Sequence, residues 1–200
     1  MPTYREELVE YIRRAARPED KYGHQPRLYS LACEVGRGLA FDDDVVFAAA
    51  WLHDLGVFVG HRPEDPALLA QWDHVAYTVE RVPGILSSAG FDATKIPAVL
   101  EVIRTHQPFD EPVTLEAVIV RDADILEQLG SIGILRAVAK VGRDTRYPTF
   151  TSVRAVLEKA VTTLPSKLRL DSSKRLAEGK VRTVEVFLQS LAVEDQGALY

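Results

Sequence analysis

Asp42-Asp43-Asp44-Val45-Val46-Phe47-Ala48-Ala49-Ala50-Trp51-Leu52-His53-Asp54-Leu55-Gly56 is the stretch on which the fold turns. Three carboxylates ahead of an apolar run supply a helix cap and a charge that suits the helix dipole, and Gly56 is placed to stop the helix. The run Val45 to Leu52 is apolar almost all round, so this helix belongs at the centre of the molecule. At its end an imidazole and a carboxylate sit side by side. A buried charge there is expensive unless something compensates it, and a bound cation would do so.

Outward from this helix, apolar residues recur at helical intervals in nearly every segment, while alternating Val, Ile and Thr runs bounded by turn signals are scarce. The reading is all-α. Leu8, Ile12 and Ala15 form the inner stripe of a first helix that Pro18 ends. A second helix begins near Pro26, runs through Leu28, Leu31, Ala32 and Val35, and closes at Gly36 and Gly38. Further helices are expected at about Pro66 to Arg81, Thr94 to Thr105, Pro112 to Leu129, Ile132 to Val141, Thr151 to Leu164 and Ser173 to Val193, with a turn at Ser87-Ser88-Ala89-Gly90. No linker interrupts them, so one domain over residues 1–200 is expected. The polar piece from Gly142 to Pro148 reads as a surface loop near a ligand.

The chain has 24 basic and 29 acidic residues, a net charge of -5, and no dense Lys or Arg run. That argues against a generic nucleic-acid surface or an anionic membrane surface and favours a small-molecule partner. No stretch approaches the ~20 apolar residues of a membrane span. The single cysteine, Cys33, cannot form an internal disulfide, and Arg5, Glu6, Glu7 and Glu10 interrupt any signal-peptide core, so a cytoplasmic location is expected. The oligomeric state is left open.

The five histidines are His24, His53, His61, His74 and His106. No two have the i, i+4 spacing of a zinc-protease helix, so a metal site would have to gather ligands from different helices, as helix-bundle interiors do. Taken singly, a histidine on a helix is more often a hydrogen-bonded residue than a ligand, and His61, beside Arg62 and Pro63, reads as solvated. Trp51 and Trp72 read as core, with Trp72 close enough to His74 in sequence to line a pocket. A mixed nitrogen and oxygen donor set suits Mn, Fe, Co, Ni or Zn better than Ca.

An early His, an adjacent His-Asp pair and a later Asp, here His24, His53-Asp54 and Asp124, resemble the HD superfamily of metal-dependent phosphohydrolases. The segment His24-Gln25-Pro26-Arg27 opens a helix with an Arg three residues after the His, as in that family. Arg121-Asp122-Ala123-Asp124-Ile125-Leu126-Glu127-Gln128-Leu129-Gly130 is similar to a segment of small bacterial HD phosphohydrolases. The likeness continues through Arg136, the loop from Arg143 to Tyr147, and Ser173-Lys174-Arg175-Leu176-Ala177 with Arg182. It implies an HD-domain helical bundle with a metal site in its core, an HD core over about 20–130 and C-terminal helices over about 131–195.

The resemblance implies His24, His53, Asp54 and Asp124 as metal ligands. Helical periodicity puts Asp122 on the inner stripe with Leu115, Val118, Ile125 and Leu129, whereas the family pattern points to Asp124, with Asp122 behind it. His74 and His106 stand where two-metal members carry two extra histidines. In a two-ion site they are ligands and Asp54 bridges the ions; in a one-ion site they face the substrate as phosphate ligands or proton carriers. Asp54, His74 and His106 are thus the catalytic candidates, and Arg27, Arg121, Arg143 and Arg146 the phosphate-binding ones. The family often places a Glu or Lys soon after the pair, but here Leu55 to Val59 is apolar, so the general base is not assigned.

The implied activity is hydrolysis of a phosphate ester or anhydride in a nucleotide or other small phosphorylated metabolite, with one or two divalent transition ions. Three rivals share the pattern: a mixed-valence diiron HD oxygenase, a cyanamide hydratase-like HD lyase, and a non-catalytic metal or nucleotide sensor.

Overall fold

The structure is a computed structural model that describes residues 2–144, 147–197 and 199–200. Among these residues helices account for the secondary structure, apart from one isolated bridge between Val59 and Arg62. The α-helices are α1 (Tyr4–Ala15), α2 (His24–Val35), α3 (Asp43–Leu52), α4 (Pro66–Ala70), α5 (His74–Ser88), α6 (Ile96–Arg104), α7 (Leu115–Glu127), α8 (Gly130–Val138), α9 (Phe150–Thr163) and α10 (Asp171–Glu194). None is long and apolar enough to cross a membrane. The chain divides into two compact units, one ending at Arg121 and the other running from Asp122 to Tyr200.

In the first unit α3 takes the central place its composition demands. Asp42 caps it, its Oδ1 accepting from the backbone N–H groups of Asp44 at 3.0 Å and Val45 at 3.3 Å. All eight residues from Val45 to Leu52 are buried, and α1, α2 and α6 pack against them. The capping carboxylates also tie α3 to its neighbours. Arg5 Nη2 reaches Asp43 at 2.8 Å and Asp44 at 2.9 Å, Lys95 Nζ reaches Asp44 at 2.9 Å, and the Tyr4 hydroxyl donates to Asp44.

The Tyr4 hydroxyl, then Lys95 and Arg5, hold the Asp44 carboxyl well below the usual carboxylate range. A depressed folded-state pKa contributes stability that is complete above the unfolded value of about 3.9 and lost as the pH falls through the folded one. Asp44 is 38% exposed, so solvent screening keeps the contribution to about 1 kcal/mol or less. Thermal midpoints of wild type and Asp44→Asn should therefore differ at pH 7 and converge as the pH drops below 4.

Two element boundaries differ from expectation. The single helix expected from Pro66 to Arg81 is two, because the Asp73 side chain accepts from Ala76 N–H and starts a fresh helix at His74. That helix then passes through Pro83 to Ser88, so the turn expected at residues 87–90 begins only at Ala89, with Gly90 at φ +75°. The other helices lie within a few residues of the expected spans.

The second unit packs α8, α9 and α10 around Ala137, Tyr147, Val153, Leu157 and Val184. Its α10 has no capping side chain at Leu170. Asp122 supplies the cap from α7: it is fully buried, and its Oδ2 accepts from Arg169 N–H at 3.0 Å, Leu170 N–H at 2.9 Å and the Ser173 hydroxyl at 2.5 Å. Periodicity thus turned Asp122 inward correctly, but the structure gives the carboxylate a helix to cap.

Candidate metal centre

His53 and His106 occupy the same local position on two helices. His53 is the C-cap of α3 and its Nδ1 lies 3.1 Å from Ala50 O; His106 follows α6, with Nδ1 2.7 Å from Ile103 O. Carbonyls in the last turn of a helix lack intrahelical donors. A carbonyl only accepts, so Nδ1 carries a proton on both rings, and Nε2 is the atom free to present a lone pair when the ring is neutral. That is the tautomer a metal ligand needs, with its orientation set by the backbone.

His24, the first residue of α2, brings its Nε2 to 3.3 Å from His53 Nε2. Asp54 Oδ2 stands 3.8 Å from His24 Nε2 and 3.5 Å from His53 Nε2. With the His53 nitrogen unprotonated, either a proton on His24 or a cation between the two rings holds such a pair together. The spacing is close to that of two nitrogens each ~2.0–2.1 Å from one tetrahedral ion. His53, Asp54 and His106 each offer a ligand atom, all within 4.8 Å of one another. The His106 ring centroid is 5.0 Å from that of His53 and 6.1 Å from that of His74, the first residue of α5. The donor set fits a divalent transition ion.

Burial alone would raise the pKa of Asp54, whose side chain is 21% exposed. The surrounding rings of His53, His24, His106 and His74 outweigh it and hold the carboxyl well below the usual carboxylate range. The site therefore keeps an ionised carboxylate among four imidazoles.

The structure thus gathers His24, His53, Asp54, His74 and His106 within the first unit. Asp124 follows on α7, three residues past Arg121. Arg27 is half-buried one turn along α2 from His24. Arg121 does not present itself to a ligand in the way expected of a phosphate contact: it is 2% exposed, and it donates to the carbonyls of Gln107 at 3.3 Å and Pro108 at 2.8 Å. It anchors the segment that follows His106. Arg143 is exposed in the turn after α8, and Arg146 lies outside the described residues.

His61 is not simply solvated. It is half-buried, with Nδ1 3.0 Å from the Tyr77 hydroxyl, and with Tyr11, Tyr77 and Arg81 it lines a cleft of about 620 Å³ that none of the five gathered residues lines. Sequence reasoning missed the contact that seats His74. Gly56, read as a helix stop, lies so close to α5 that a Cβ there would stand 2.5 Å from His74 O. Trp51 is core, as expected, while Trp72 is half-buried and donates its indole N–H to Gly56 O at 2.8 Å.

Comparison with known proteins bears on the fold and on the family. Three solved structures share the fold at 21–23% identity. Bacillus subtilis YpgQ superposes with a TM-score of 0.73 at 21% identity, covering 98% of this chain and 95% of that one. The same protein in complex with ADP gives 0.72 at 22%, covering 94% and 93%. A predicted HD superfamily hydrolase from an uncultured Thermotogales bacterium gives 0.66 at 23%, covering 96% and 93%. No functionally curated protein matches. The HD domain family matches residues 22–129, more than half of the chain and a span that contains all six candidate ligands. A His-Asp pair at the end of a central helix, with further imidazoles brought to it from α2, α5 and α6, is thus the core of a chain that belongs to the HD superfamily.

Proposed function

We propose that this protein is a divalent-metal-dependent phosphohydrolase acting on a nucleotide or another small phosphate ester or anhydride, in the cytoplasm. The observation that carries the reading is the convergence of His24 and His53 nitrogens, 3.3 Å apart, on the ionised Asp54 carboxylate. The ADP held by Bacillus subtilis YpgQ supports a nucleotide as the class of ligand. Because the solved neighbours span nearly the whole chain, we take residues 1–200 as one functional domain.

In this reading His24, His53, Asp54 and Asp124 would hold a first ion, and His74 and His106 would hold a second. Mn, Fe, Co, Ni or Zn suits the donors. The bound metal supplies Lewis-acid stabilisation of charge that builds up on a phosphoryl group. Arg27, one turn from His24, pairs with a phosphate oxygen. His74 and His106 face the substrate as phosphate ligands or proton carriers if only one ion is bound.

Phosphate release from a panel of nucleoside mono-, di- and triphosphates, each with Mn, Fe, Co, Ni and Zn, tests the proposal. Release that depends on the metal is expected. No release with any pair, or oxygen uptake by the anaerobically loaded iron protein, would transfer the site to a sensor or to oxygen chemistry.

The two neighbouring aspartates on α7 should behave oppositely. Asp124→Asn should lower metal content sharply with little change in thermal midpoint. Asp122→Asn should leave metal content alone and cost about 1–3 kcal/mol of stability, because the backbone N–H groups of Arg169 and Leu170 and the buried Ser173 hydroxyl lose an anionic acceptor. Metal analysis and thermal unfolding of both variants check the pair, and the reverse ranking would make Asp122 the ligand.

A further inference from the structure

Thr78 lies one turn into α5 and is fully buried. Its hydroxyl donates to His74 O at 2.7 Å and accepts the Gly56 N–H at 3.0 Å. A hydroxyl has one proton to give and lone pairs to accept with, and here it does both across two elements. The Gly56 carbonyl is held in turn by the Trp72 indole N–H at 2.8 Å. Between these two bonds, the Gly56 backbone sits against His74: an added Cβ would lie 2.5 Å from His74 O and 2.9 Å from its Cα. Gly56 is two residues beyond Asp54, so this joint connects the His53-Asp54 turn directly to the residue that opens α5.

Because α5 begins afresh at Asp73 after a break, this joint ties its first turn to the turn that carries His53 and Asp54. We propose that Thr78 is a positioning residue for the metal centre: its hydroxyl locks the first turn of α5 onto Gly56 and thereby sets where the His74 imidazole stands. The proposal rests on the two-ion reading above for its consequence, but not for its geometry. Thr78 is not among the residues proposed to hold an ion or bind phosphate. Partners of this kind, one bond removed from a ligand, typically change metal affinity 10–100-fold when removed.

Thr78→Val keeps the shape and deletes the hydroxyl; Thr78→Ser keeps the hydroxyl. Trp72→Phe is a milder variant that removes the other bond to Gly56 while leaving a ring in place, and it serves if Thr78→Val does not fold. Two readouts are needed. In metal-free protein, histidine ring ¹H–¹³C spectra should show the His74 signal displaced by Thr78→Val, and by Trp72→Phe to a lesser degree, while those of His24, His53 and His106 hold. In manganese titrations, Thr78→Val should weaken the second ion 10–100-fold and leave the first unchanged. Thr78→Ser should restore both.

An unmoved His74 signal in the folded variants overturns the proposal, as does a serine variant that behaves like the valine one. His74→Ala separates the proposal from the reading beneath it. Loss of the second manganese in His74→Ala with none in Thr78→Val sinks the role of Thr78 alone. Retention of two manganese ions in His74→Ala removes His74 from the ligands, and a wild type that binds only one manganese sinks the two-ion reading; in either case the His74 signal in Thr78→Val still decides whether Thr78 places the ring.

Discussion

His53→Ala and Asp54→Ala should each strip the protein of bound metal and lower phosphate release by about a thousandfold or more, since several kcal/mol of charge stabilisation leave with the ion. The far-UV helical signal should persist. The core around α3 is built from Val45 to Leu52, whose burial does not depend on an ion, and His53 and Asp54 lie beyond the end of that helix. The two variants should nonetheless differ. Removing the His53 ring deletes one nitrogen donor and leaves Asp54 beside His24, whereas removing Asp54 deletes the anion that offsets the ion's charge and leaves His24 and His53 nitrogens facing each other at 3.3 Å. Asp54→Ala should therefore lose metal at least as completely as His53→Ala. Metal analysis on protein purified without chelator, with circular dichroism on the same samples, checks this. Metal retained in both variants would remove the pair from the site, and lost helicity would make the ion part of the fold.

What the sequence made legible, and what it did not, divides along physical lines. The all-helical class and the central place of α3 follow from composition, because a segment apolar on every side can only be satisfied by burial on every side. Capping was equally readable at Asp42, where the carboxylate acts within its own turn. The break before His74 was not, although Asp73 is the same kind of signal: one Asp gives a weak boundary when the pattern on both sides is helical. Long-range hydrogen bonding was the least readable of all. Asp122 could be turned inward by periodicity, yet nothing local says that its partners are Arg169, Leu170 and Ser173, some fifty residues on. Arg121 looked like a phosphate contact because an arginine near a metal motif usually invites that reading; its burial against the Gln107 and Pro108 carbonyls is a tertiary fact. At the site, the resemblance to the HD superfamily was what nominated His24, His53, Asp54, His74 and His106, which meet in space. The means that orient them, the Ala50 and Ile103 carbonyls and the Gly56 seat, belong to backbone geometry that no side-chain pattern records.

Replacing both His74 and His106 by alanine bears on nuclearity, and with it on the choice between hydrolytic and oxygen chemistry. The two rings come from α5 and from the end of α6, whereas His24 and His53 come from α2 and α3, so the pairs are separable by mutation. If they ligate a second ion, wild type should carry about two metals per chain and the double variant about one. Phosphate release should then fall steeply, and any oxygen uptake that depends on a pair of irons should be lost. If wild type carries one metal and the variant keeps it with a raised KM, the two histidines belong to the substrate pocket and the diiron alternative is excluded. Unchanged metal content together with unchanged turnover would reduce both rings to hydrogen-bonded residues of the core, and would leave His24, His53, Asp54 and Asp124 as the whole of the proposed centre.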